Sequence, residues 1–172
     1  MNQITTQYVT ENGACYEQYV ITDPAAKTSL TITPERGGMI TGFTLDGDEY
    51  IWTRRPNFSE CNRPRFGVPV LFPSCGNPDG GVHNFDGKAY PMETHGFADL
   101  CGWDVESVGP DGVTLALEST PLTKFLYPFD FTLLVNYNLE GNKAAISLTV
   151  INEGDKPMPF SFGYHPYFMA SA

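Results

Sequence analysis

Apolar and polar residues alternate with a period of two along much of the chain, the pattern of strands that bury one face. Residues 17–22 (EQYVIT) and 28–33 (TSLTIT) read this way, and 38–45 (GMITGFTL) follows them. The turn Asp46-Gly47-Asp48 separates that run from EYIW at 49–52, and an Asp-Gly step between apolar runs predicts a hairpin. A second hairpin is predicted over 103–118, where WDVESV and VTLALE flank Gly109-Pro110-Asp111-Gly112. A third covers 129–151, with FDFTLLVNYNL and AAISLTVI on either side of Glu140-Gly141-Asn142. In that last run Ile146, Leu148 and Val150 alternate with Ser147 and Thr149, which predicts a strand with one buried face.

Nowhere does an apolar period of 3.6 residues persist for three turns. Residues 54–90 read as an irregular connection rich in Pro, Gly, Asn and Asp around one apolar run, VPVLFP (68–73), and such connections commonly carry function. The last apolar run, MPFSFGYHPYFM (158–169), is followed by only three residues. A run this apolar should pack on something, so the pattern is expected to lack strands that would complete the fold. The fold class predicted is all-β, an antiparallel β-sandwich, with residues 1–172 forming a single, incomplete domain.

Composition agrees: aromatics make up 13% and charged residues only 17%, with 17 Gly and 14 Pro, as in a turn-rich β protein. The net charge of −10 disfavours nucleic acid and anionic membrane as partners. The first residues carry no basic segment followed by an apolar run, and no apolar stretch reaches the roughly 20 residues of a membrane span. Cys15, Cys61, Cys75 and Cys101 form no CxxC pair, so they are expected to be reduced, mostly core-filling thiols of a cytoplasmic protein.

Three histidines are candidates for chemistry. His83 lies among turn residues in GGVHNFDG and reads as a solvated loop side chain. His95 precedes a glycine in ETHGFADLCGW, which lets the backbone approach a neighbour closely; its other reading is a strand-end cap. His165, in SFGYHPYF, reads either as a satisfied core histidine or as an imidazole held beside aromatic faces, an arrangement that suits the apolar C–H faces and polar rim of a sugar. Arg36, Arg63 and Arg65 would be solvated loop cations if taken alone. No serine sits in a G-x-S-x-G elbow, and no H-x-H or other metal spacing occurs.

Four segments change this weighting when read together. ERGGMITGF (35–43), RFGVPVLFPSCG (65–76), HGFADLCGW (95–103) and PMPFSFGYHPYF (157–168) stand in the order and rough spacing seen in the aldose 1-epimerase, or galactose mutarotase-like, superfamily. The chain resembles most closely the branch that includes hexose-6-phosphate epimerases, over about residues 17–169. The resemblance implies an antiparallel β-supersandwich that binds an aldose on one sheet, without metal or organic cofactor. It implies interconversion of α and β anomers through the open-chain aldehyde, which needs a proton donor at the ring oxygen and an acceptor at the anomeric hydroxyl.

By that resemblance His165 is the general acid, and His95 hydrogen-bonds the sugar and helps place charge. Arg65 is the arginine of the R-G-x-P loop that meets substrate hydroxyls or phosphate; Arg63, Tyr164 and Phe72 are further expected substrate contacts. Two positions depart from the family pattern. Asp99 stands where the sugar-phosphate branch commonly has arginine, which counts against a phosphorylated substrate. The general base is a glutamate far downstream of HPYF, and no acidic residue follows Asp155 here, so the base is expected to be missing. The alternative is a carbohydrate-binding module without catalysis. Exposed edge strands are also expected to invite self-association.

Overall fold

The structure is a computed structural model that describes residues 2–53, 58–60, 62–110 and 112–170. Thirteen strands occur among them: β1 (Gln3–Glu11), β2 (Ala14–Asp23), β3 (Thr28–Thr33), β4 (Met39–Leu45), β5 (Asp48–Glu49), β6 (Val70–Leu71), β7 (Val82–Phe85), β8 (Lys88–Pro91), β9 (Asp104–Gly109), β10 (Gly112–Glu118), β11 (Phe131–Glu140), β12 (Lys143–Asn152) and β13 (Gly163–Tyr164). One sheet runs β1-β2-β3-β4-β5 and a second runs β12-β11-β10-β9, every pairing antiparallel. Two small antiparallel pairs, β13-β6 and β7-β8, complete the set. The fold is all-β, as the alternation predicts. No helix among the described residues is long and apolar enough to cross a membrane, a statement that does not bear on strands.

The core lies between the two large sheets. Ile21, Leu30 and Ile32 from β2 and β3 face Val113, Leu115 and Leu117 of β10 and Leu133 and Val135 of β11, all buried. β11 shows why alternation predicts a strand: its odd-numbered residues from Phe131 to Leu139 are buried and the even-numbered ones between them are half-buried. The Tyr137 hydroxyl donates to the Gly38 carbonyl at 2.6 Å and fastens one sheet to the other. Phe72 lies in the same core, with its ring 5.2–6.4 Å from those of Phe97, Tyr127, Phe131 and Phe160.

Several expectations are corrected. The run at 49–52 is strand only at Asp48–Glu49, and Ile51 forms an isolated bridge to Phe168. The connection 54–90 is not wholly irregular, because its end begins the β7-β8 hairpin; His83 sits on β7, stacked on Phe85, rather than in a solvated loop. β1 was not legible as a strand at all. The apolar face of β12 is covered only in part, with Ile146, Leu148 and Val150 half-buried on an edge strand. Cys15 and Cys75 are exposed thiols that do not fill the core, whereas Cys101 is half-buried and packs against it. Cys61 and Asp111 lie outside the described residues.

Candidate active site

The segment carrying His165 runs antiparallel to the one carrying Arg65. β13 pairs with β6, and the pairing continues as His165 N–H donates to Pro69 O at 3.1 Å and Tyr167 N–H to Gly67 O at 2.9 Å. Successive side chains on an extended strand point to opposite faces. His165 and Tyr167 therefore share one face, their rings stacked 4.8 Å apart. Tyr164, Pro166 and Phe168 share the other, where they join Leu30, Ile40 and Ile146 around an apolar groove.

His95 reaches the same place from a different part of the chain. Its backbone adopts a left-handed conformation, φ 73°, and its N–H donates to Gly76 O at 2.8 Å. Gly96 follows with φ 75°, and a Cβ there would stand 2.2 Å from Phe72 O. Only glycine permits that approach, and the Phe72 carbonyl accepts from both Phe97 N–H and Ala98 N–H. The end of β6 thus fixes the HGFA turn, which brings the His95 ring to 5.6 Å from that of His165.

The two imidazoles line a cavity of about 590 Å³ together with Arg63, Pro64, Arg65, Pro69, Leu71, Thr94, Asp99 and Tyr167. That size suits a small polar ligand. Arg63 is anchored: its Nη1 donates to the buried Asp99 carboxylate at 2.5 Å and its Nη2 to Gly96 O at 2.8 Å. Arg65 is exposed and has no ion-pair partner among the described residues. It also lines an adjoining hollow with Arg36, Trp52 and Glu60.

Burial lowers the pKa of His95 below its ordinary 6.5, and the Arg63 charge and then His165 push the same way. Burial raises that of Asp99 above 3.8, against the opposing pull of Arg63. Close contact with a guanidinium favours the ionised carboxylate. Among the described residues no group of three or more His, Cys, Asp or Glu side chains has the arrangement of a metal site.

Of the six residues expected at the site, His95, His165, Arg63 and Arg65 come together. Phe72 does not: its ring is fully buried in the core behind the cavity and offers no surface to a ligand. Tyr164 does not either, because alternation turns it to the apolar groove, where burial raises its hydroxyl pKa and the oxygen has no partner among the described residues. Tyr167 lines the cavity instead, on the face it shares with His165, as the period-two rule applied to YHPY places it. Asp99 had no local signal, since its partner Arg63 is 36 positions away.

Neighbouring imidazoles in an arginine-lined hollow on an antiparallel β-sandwich define a class of β-sandwich protein. The chain belongs to the aldose 1-epimerase family, whose model matches residues 17–172. It is 30% identical over 139 residues to the plasmid-encoded protein LacX of Lactococcus lactis subsp. lactis, which covers 77% of this chain and 45% of that protein. The Slr1438 protein of Synechocystis sp. PCC 6803 superposes with a TM-score of 0.85 at 34% identity, covering 90% of this chain and 55% of the other. A galactose mutarotase related enzyme from Lactobacillus acidophilus gives 0.73 at 26%, covering 98% and 50%. The chain spans about half the length of the relatives it matches.

Proposed function

We propose that the cavity binds an aldose and that this chain supplies the acid half of an aldose 1-epimerase site. The observation that carries the reading is the pair of imidazoles 5.6 Å apart in one arginine-lined hollow. His165 protonates the ring oxygen, the bond from C1 to that oxygen breaks as the anomeric hydroxyl loses its proton to solvent water, and the carbonyl formed at C1 turns before closure from the other face. His95, kept neutral, accepts a hydrogen bond from a sugar hydroxyl. Tyr167, stacked on His165, offers an apolar face to the ring, and Arg65 donates to hydroxyls at the rim.

Among the described residues the only carboxylate on the cavity wall is Asp99, and Arg63 engages it. That leaves the proton from the anomeric hydroxyl without a dedicated acceptor here. It also favours a second reading, sugar binding without anomer exchange. The free thiols of Cys15, Cys75 and Cys101 fit a reducing, cytoplasmic setting.

Polarimetry of freshly dissolved glucose or galactose separates the readings. The 172-residue chain should accelerate mutarotation by ~10²–10⁴-fold less than a complete enzyme of the family, the usual worth of a general base, and His165→Asn should remove what remains. A rate equal to that of a complete enzyme would contradict the half-site reading. Binding with no acceleration would select the second one.

A further inference from the structure

We propose that Asp99 is a positioning residue: with Arg63 it clamps the turn that carries His95, and through that clamp it holds the imidazole in place at the cavity wall. Asp99 lies in the short 3-10 turn Ala98–Leu100 and has no exposed surface. One of its oxygens accepts from Arg63 Nη1 at 2.5 Å, while Arg63 Nη2 donates to Gly96 O at 2.8 Å. The guanidinium thus grips the carbonyl immediately after His95 and the carboxylate three residues further on. It ties both to a segment more than 30 positions earlier in the chain.

A merely structural tie has no need of a buried charge, since an ion pair taken from water often stabilises less than apolar residues of the same shape. Here the other Asp99 oxygen is buried with no partner among the described residues, a cost that calls for a reason. The turn it holds supplies one. His95 is a non-glycine residue at φ 73°, a conformation that persists only where the surroundings enforce it. Asp99, with no exposed surface, acts through Arg63 and the turn.

The charges around His95 define the second effect. Arg63, Arg65 and Asp99 face it across the cavity with His165 and Tyr167, and Glu93 lies on its own turn, 3.7 Å from Arg63. The Arg63 cation disfavours a second positive charge on His95, and the Asp99 anion tempers that effect. Asp99 and Arg63 therefore act on His95 in opposite directions while supporting it jointly.

The test is the NMR titration of the His95 imidazole in the intact chain without sugar, followed by titration with galactose. Asp99→Asn keeps the shape and an acceptor for Arg63 but removes the anion, so His95 should bind its proton at least three-fold more weakly. Arg63→Met removes the cation, and His95 should bind its proton at least three-fold more strongly. A role confined to structure predicts neither; no movement in either variant, or movement of both in one direction, overturns the proposal. If those variants do not fold, Arg63→Lys keeps the charge and loses the fork. It should weaken galactose binding at least three-fold with the His95 titration unchanged, and unaltered binding overturns the clamp. The proposal leans on the sugar reading only in the galactose arm: a native chain that binds no galactose sinks that reading, while the sugar-free titration still decides the clamp.

Discussion

His95 sits where burial and the Arg63 guanidinium both disfavour its protonated form. The unfolded chain, with an ordinary histidine near 6.5, binds that proton more readily than the folded one. The stability that His95 contributes is therefore present above pH 6.5 and lost as the pH falls through the lowered folded-state value. Melting temperature should fall between about pH 8 and about pH 5, and His95→Gln should flatten this part of the profile. A profile unchanged by the substitution contradicts the assignment. Gly96 gives a sharper structural prediction. Gly96→Ala places a left-handed non-glycine residue against Phe72 O, for about 1–3 kcal/mol from the backbone conformation alone. It should also displace His95, and urea denaturation together with galactose binding measures both effects. The positions that line the cavity were legible where a motif fixed them, as for His95, His165 and Arg65. Direction was not legible: alternation turns Tyr164 to the opposite face from His165, and Phe72, just after β6, has its ring buried in the core.

At the scale of elements, the strands that the pattern predicts appear in place: β2, β3, β4, β9, β10, β11 and β12, of which β9 has almost no buried face and β12 only a half-buried one. β6, which it misses, is only two residues long and buried at both, and β1 has almost no buried face. β1 pairs with β2 along all nine of its residues, yet its Tyr8 is exposed and six of the nine are polar. Its signal lay in the turn. Asn12 and Gly13 have φ 49° and 83°, and Asp86 and Gly87, between β7 and β8, have φ 50° and 77°. Two successive positive φ values define the tight hairpin turn that Asn-Gly and Asp-Gly favour, the same cue that identified the turn at Asp46-Gly47. Gly13→Val should accordingly cost about 1–3 kcal/mol and speed amide exchange on β1 ahead of β10 and β11; uniform exchange across the sheets would contradict it. Phe72→Ala tests the other end of the scale. It removes the ring at the centre of the aromatic core and should cost about 3–5 kcal/mol by chemical denaturation. A cost under about 1 kcal/mol would mean that the ring lies on the cavity surface instead.

The whole molecule presents two hollows of opposite character on the two faces of the 163–168 segment. One holds the imidazoles and arginines, and the other is the apolar groove of Leu30, Ile40, Phe43, Ile146, Tyr164 and Phe168, with Phe168 66% exposed. Exposed apolar patches of this kind bind hydrophobic dyes. The native chain should enhance the fluorescence of such a dye, and Phe168→Ser should reduce the effect without changing the far-ultraviolet circular dichroism. Net charge and composition gave the broad class at this scale, whereas the cavity depended on segments separated by up to a hundred residues, and only the ordered set of four motifs connected them. The proposed function reduces to one question, namely whether an aldose sits against His165. Saturation-transfer NMR of galactose with the native chain and with His165→Asn answers it most directly: transfer to the sugar C–H protons in the native chain, lost or sharply reduced in the variant, is the predicted result, and no transfer in either, or equal transfer in both, contradicts it.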